Sequence, residues 1–194
     1  MIIDDCAKIA DKVLSFDNAI GFLNINAKIK VVELRYAMAF DNSEIILEGS
    51  WFHRLGHYIV LERSEFDNRV NSISFSKKKP PRHSELAQCI IDYVRGKTMK
   101  PDIELDMSDL TNFQKEIYNL AKEIPRGKTT TYGDLARLAR RPKAFRAVGQ
   151  AMATNPFAII VPCHRVISSN GLGGYRWGKV VKKNLLALEA EEIL

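Results

Sequence analysis

The hydrophobic period of this chain changes partway along, and that change limits the available folds more than any other feature. Between residues 27 and 75, short apolar runs rich in β-formers recur: KIKVVELRYAMAF, EIILEG, HYIVLER and RVNSISFS. The polar turns FDNS and FDNR separate them, which predicts a small, largely antiparallel sheet. KKKPPR reads as a loop, and HSELAQCIIDYVRGK as an amphipathic helix that stops at Gly96. After Leu110 the spacing becomes helical. TNFQKEIYNLAKEI places Phe113, Ile117, Leu120, Ala121 and Ile124 on one face before Pro125. TTTYGDLARLARR and KAFRAVGQAMATNP read as two short helices joined by a tight RRPK turn, the pattern of a helix-turn-helix. GKVVKKNLLALEAEEIL closes the chain as an amphipathic helix.

The expected class is therefore α/β. Residues 1–100 form a small N-terminal domain with an antiparallel sheet plus helices, and 101–110 a linker containing Pro101. Residues 111–194 form a mainly helical C-terminal domain with the helix-turn-helix. The first 25 residues have helical composition but weak patterning, and no role is assigned to them. They carry acids early and no basic-then-apolar leader pattern, and no apolar run is long enough to span a bilayer. A cytoplasmic protein with no membrane partner is expected.

Charge separates the two halves. The chain carries a formal +6, yet residues 1–110 hold 15 Lys and Arg against 17 Asp and Glu, whereas residues 111–194 hold 14 against 6. A basic second half fits a polyanion partner, with a solvated basic face as the plain alternative. The helix over KAFRAVGQAMATNP sharpens the choice. Ala144, Ala147, Gly149, Ala151 and Ala153 leave it nearly bare, and Arg146 is its one long charged side chain past Lys143. A glycine at position 149 costs a helix about 1 kcal/mol against alanine, so it serves a close approach. Either another element packs there, or the helix enters a groove where Arg146 probes the base stack.

Three scattered cysteines, Cys6, Cys89 and Cys163, include no C-x-x-C pair, and histidines 53, 57, 83 and 164 add no ligand spacing. No metal and no cofactor are expected. The sequence leaves a Cys6–Cys89 disulfide open. Cys163 stands apart because of IIVPCHRVI, which reads as a buried strand carrying a nucleophile and two cations. Pro162 fixes the approach to Cys163, while His164 and Arg165 supply a base and a positive charge that favour the thiolate. Neighbours in a regular strand point to opposite faces, so either the backbone turns at Pro162-Cys163 or a water relays the proton. The imidazole needs an anion behind it. Among the few acids of this half, Glu189 shares a face with Leu185 and Leu188 and can look inward.

PCHRV, preceded by RAVGQAM and Asn155-Pro156 and followed by GGYRWG, together with IPRGKTTTYGDLA, closely resembles the O6-alkylguanine-DNA alkyltransferases. The resemblance covers residues 113 to 189; residues 1–100 match only loosely. It implies a protein that binds damaged duplex DNA, flips the alkylguanine and moves its alkyl group irreversibly to a cysteine, once per molecule, as a monomer without cofactor. O4-alkylthymine is implied as a second substrate. On that resemblance Cys163 matches the acceptor, His164 the residue that deprotonates it through a water, and Glu189 the carboxylate that orients the histidine. Asn155 matches the hinge asparagine, and Tyr132 the tyrosine that bonds the flipped base and helps rotate its phosphate. Arg146 matches the arginine that fills the stack, Ala147 and Gly149 the groove-facing small residues, and Ser169 a further DNA contact. Val166 and Cys163 backbone groups read the guanine edge, and Met152, Tyr175, Arg176 and Trp177 line the pocket. Some relatives carry Ser-Gly where Arg176-Trp177 stand here, so a narrower pocket is expected. Thr111-Asn112-Phe113-Gln114 replaces T-P-F-Q, and no zinc set occurs in the first half. Two other classes remain for comparison: a lesion sensor that binds without transfer, and a cysteine hydrolase indifferent to DNA.

Overall fold

The computed structural model describes residues 45–190. The helix expected in the first 25 residues, the run KIKVVELRYAMAF and Cys6 lie outside them. Among the described residues no helix is long and apolar enough to cross a membrane.

The expected sheet forms. Strands β1 (Ile45–Phe52), β2 (His57–Ser64) and β3 (Val70–Ser76) are consecutive antiparallel neighbours, and the two-residue β4 (Arg82–His83) lies parallel to β1. Alternation sends Ile59, Leu61 and Ile73 inward, each under 1% exposed. Burial of such a side chain contributes about 1.5–3 kcal/mol. The free edge of β3 is covered by two stretches of irregular chain. Val70 bonds to Glu104 and Asp106, and Ile73 bonds to Pro156 and Ala158 at 2.7 and 3.0 Å. The second of these stretches leads directly into Cys163, so the sheet edge anchors it.

Helix α1 (Glu85–Val94) starts on Ser84, whose hydroxyl accepts from the Ala87 amide, and ends before Gly96 at φ +74°. Helix α2 (Asn112–Lys122) begins with a capping box between Thr111 and Gln114. Thr131 caps α3 (Tyr132–Leu138), its hydroxyl accepting from the Asp134 amide. A 3-10 turn over Pro142–Ala144 then leads into α4 (Phe145–Ala153), completing the helix-turn-helix. Helix α5 (Lys179–Ala190) is the last described element.

Two apolar clusters result. One joins the inner face of the sheet to Ile90 and Val94 of α1, Val181, Leu185 and Leu188 of α5, and residues 158 to 160. The other joins Ile117, Tyr118, Leu135, Val148 and Met152 to Phe157, Val161, Cys163 and Val166. Residues 157 to 163 therefore run between both clusters, which is why so apolar a segment was selected.

That segment is not the strand its composition predicts. Only β6 (Val166–Ile167) is extended, lying parallel to β5 (Thr130–Thr131). Ile159 is left-handed at φ +71°, and Cys163–Arg165 is a 3-10 turn. Short-range bonds from Ile160 to Ala158 and from Cys163 to Val161 curl the chain. Buried backbone outside a ladder needs other partners, and Asn155 provides them. Its amide donates to the carbonyls of Val161 at 2.9 Å and Phe157 at 3.4 Å, and its oxygen accepts from the Phe157 amide.

Candidate active site

The turn at Pro162 changes the geometry expected of Cys163 and His164. Both are buried, at 3% and 0% exposure, on the same tight 3-10 turn rather than on opposite faces of a strand. Burial pushes the Cys163 thiol above its ordinary value, against the lowering influence of Asn155 and Lys182, so the resting sulfur is protonated.

Behind His164 stands Glu189, delivered by α5. His164 Nε2 lies 2.9 Å from Glu189 Oε1, with both side chains fully enclosed. Burial alone would raise the Glu189 carboxyl, but hydrogen bonds and charge from His164 and Arg165 outweigh it and hold the carboxyl at about 2. Glu189 is thus ionised and accepts the Nε2 proton. Burial lowers His164 below its usual range, with Glu189 opposing, so the imidazole is neutral near pH 7. Its proton sits on Nε2, and the lone pair is on Nδ1, which is buried and has no hydrogen-bond partner among the described residues. A neutral imidazole locked in this tautomer is a competent base. Gly127 closes the site from below: its amide donates to Glu189 Oε2 at 3.4 Å. At φ +74° a side chain there would also meet the Glu189 carbonyl oxygen at 2.9 Å.

Arg165 corrects one expectation. It does not lend its charge to the thiol. Its guanidinium turns the other way, donating twice to Glu189 at 2.9 and 2.7 Å, to the Ile124 carbonyl at 2.6 Å and to Tyr93 Oη at 2.9 Å. The cation that acts on Cys163 is Lys182, which sequence reasoning missed. Lys182 is fully buried, donates to the carbonyls of Val166 at 2.7 Å and Gly174 at 3.2 Å, and lies about 6 Å from the Tyr132 and Tyr175 rings. Burial lowers its ammonium to about 8, with Cys163 pulling the other way. A signal existed: Lys182, Leu185 and Glu189 recur at helical spacing on the apolar face of α5.

Tyr132 and Tyr175 complete the surroundings. Both hydroxyls are raised, first by burial and then by the nearby Cys163, Tyr175 strongly so. Both remain protonated donors at neutral pH. Tyr132 Oη sits against Gly173, where an added Cβ would be 3.1 Å away. Met152 and Val166 are buried in the same cluster as Cys163. Trp177 packs its edge on Phe75 of β3 and on Tyr175, at centroid distances of 5.2 and 5.3 Å, with Arg176 exposed over its ring.

Helix α4 presents a second surface. Val148, Ala151 and Met152 are buried, whereas Arg146, Ala147 and Gln150 are exposed. A Cβ added at Gly149 meets nothing within 4 Å, so no element among the described residues approaches that glycine. The small residues leave an open face beside exposed Arg140, Lys143 and Arg146. Ser169 is exposed in the turn after β6.

Comparison with known proteins agrees with this layout. The family model described as the DNA-binding domain of 6-O-methylguanine DNA methyltransferase matches residues 112–191. A methylated-DNA–protein-cysteine methyltransferase of Methanosarcina acetivorans is 51% identical over 98 residues, which is 50% of this chain and 62% of that one. Its counterpart from Methanosarcina mazei is 46% identical over 110 residues, covering 56% of this chain and 69% of that protein. Among solved structures, Mycobacterium tuberculosis OGT in complex with DNA shares 32% identity at a TM-score of 0.62, over 74% of this chain and 92% of that one. Identity of this level over two thirds of a relative, with the same α/β layout, shows that the chain belongs to the methylated-DNA–protein-cysteine methyltransferase family.

Proposed function

We propose that this protein repairs O6-alkylguanine in duplex DNA, and O4-alkylthymine with it, by moving the alkyl group onto Cys163. The observation that carries the reading is a buried thiol next in sequence to a neutral histidine whose Nε2 is locked on Glu189 and whose Nδ1 has no partner among the described residues. Exposed Arg146 and the bare face of α4 enter the duplex from the minor groove, Arg146 taking the place of the rotated base. Extruding a base costs a few kcal/mol, least for one already mispaired, which favours lesions.

The Cys163 proton then passes through one water to His164 Nδ1, and Lys182 supports the sulfur charge that develops. The thiolate attacks the alkyl carbon; the C–S bond forms as the C–O6 bond breaks, and its electron pair stays with the guanine. Tyr132, a protonated donor, stabilises the departing base. The product is a thioether. No group in the site reverses it, so each molecule acts once. All these residues come from one chain, so a monomer suffices, and a thiol nucleophile suits the reducing cytoplasm. The test is stoichiometry: a duplex carrying tritiated O6-methylguanine should label the protein up to one methyl per chain and no further. Continued turnover with a released methyl product points to a hydrolase instead.

Trp177 sets the size limit in this reading. Wedged against Phe75, it stops the Tyr175 wall from yielding to a large group. Free O6-benzylguanine is expected to inactivate the protein more slowly than methylated DNA does, and Trp177→Gly to reduce that difference. Equal rates in the wild type contradict the assignment.

A further inference from the structure

The end of α1 reaches the catalytic carboxylate by two routes that the transfer chemistry does not itself use. Tyr93 is 7% exposed, and its hydroxyl oxygen accepts from Arg165 Nη2, the same nitrogen that donates to Glu189 Oε1. The arginine also lies over the Tyr93 ring, 5.8 Å from its centre. The next residue, Val94, offers its carbonyl to Arg126 Nε and Nη2 at 3.3 and 3.2 Å, and Arg126 Nη2 also holds the Leu188 carbonyl beside Glu189. Glu189 Oε1 thus receives two donors at once, His164 at 2.9 Å and Arg165 at 2.7 Å. Arg165 helps to place that oxygen, and Tyr93 anchors the Nη2 end of Arg165, as the Ile124 carbonyl anchors Nη1.

We propose that Tyr93 is a positioning residue for the transfer: through Arg165 it fixes the Glu189 oxygen that holds the His164 tautomer, making the sheet-bearing half part of the catalytic apparatus. The proposal rests on the alkyl-transfer reading above. Among the described residues the charged groups that act on His164 are Glu189, Arg165 and Lys182, from the turn and from α5. Of these, Glu189 alone raises its basicity, so loosening Glu189 makes His164 a weaker base. Tyr93→Phe keeps the ring under the guanidinium and removes only the hydroxyl. Val94→Ala, by contrast, removes buried packing and leaves both hydrogen-bond routes intact.

The experiment follows single-turnover methyl transfer from an O6-methylguanine duplex against pH for wild type, Tyr93→Phe and Val94→Ala, with duplex affinity and thermal stability measured alongside. Tyr93→Phe is expected to slow the transfer about tenfold and to shift the acid limb of the rate profile to lower pH, with duplex affinity unchanged. Val94→Ala is expected to lower stability without moving the limb. A Tyr93→Phe rate and limb equal to wild type overturn the proposal. So does a slower rate whose limb stays or moves upward, because that marks a merely structural role. A wild type that transfers no methyl group sinks the alkyl-transfer reading, and this proposal falls with it.

Discussion

Cys163→Ala is expected to accept no alkyl group at all and still to bind a lesion duplex as tightly as wild type. The two properties separate because they live on different elements. The proposed acceptor sits on the buried turn after Pro162, whereas the side chains proposed to meet DNA lie on the exposed face of α4. Among the described residues the one other thiol is Cys89, exposed on α1. It cannot substitute. Loss of the small sulfur from a packed position should cost about 1 kcal/mol of stability, so the variant remains folded. Binding by gel shift and transfer by label incorporation measure the two properties independently. Loss of both together contradicts the separation.

Glu189→Ala is expected to damage activity and stability at once. The carboxylate answers Arg165 twice, His164 once and the Gly127 amide once, all inside the protein. Removing it leaves the Arg165 charge buried without a counter-ion, a change that costs roughly 3–5 kcal/mol. Transfer should fall by about 10²–10⁴, the usual contribution of a positioned base. The pH dependence has a definite sign. An unfolded carboxyl titrates near 4.5 and the folded one is held at about 2, so the contribution of Glu189 is complete above 4.5 and lost as pH falls towards 2. Urea unfolding between pH 3 and 7 should show the acid loss of stability in wild type and a flatter curve in Glu189→Ala. Parallel curves contradict the assigned state of the carboxyl.

Much of this architecture is legible in the sequence because two periods announce it. Residues at period two in RVNSISFS and HYIVLER pair as β3 and β2, and the helical spacing around Leu135 and Val148 builds the helix-turn-helix. Glu189 is found on the same ground, by sharing a face with Leu185 and Leu188. Period fails at IIVPCHRVI. A run that is apolar throughout carries no alternation, so a buried turn and a buried strand look alike. What distinguishes them here is the Asn155 amide, eight residues before Cys163, satisfying backbone that no ladder reaches. Charge is read poorly for a related reason. Arg165 is only two residues from Cys163 in sequence but faces Tyr93 and Glu189, whereas Lys182, nineteen residues away, acts on the sulfur. Adjacency along the chain does not tell which way a side chain leaves a 3-10 turn.

In the proposed mechanism the alkyl group ends on one sulfur. Intact-mass measurement after incubation with a duplex carrying a single O6-methylguanine, followed by peptide mapping, tests it most directly. The expected result is a gain of one methyl for one hydrogen, saturating at one per chain and confined to the peptide that contains Cys163. An unchanged mass with lesion binding retained, or a methyl group on any other peptide, would contradict it.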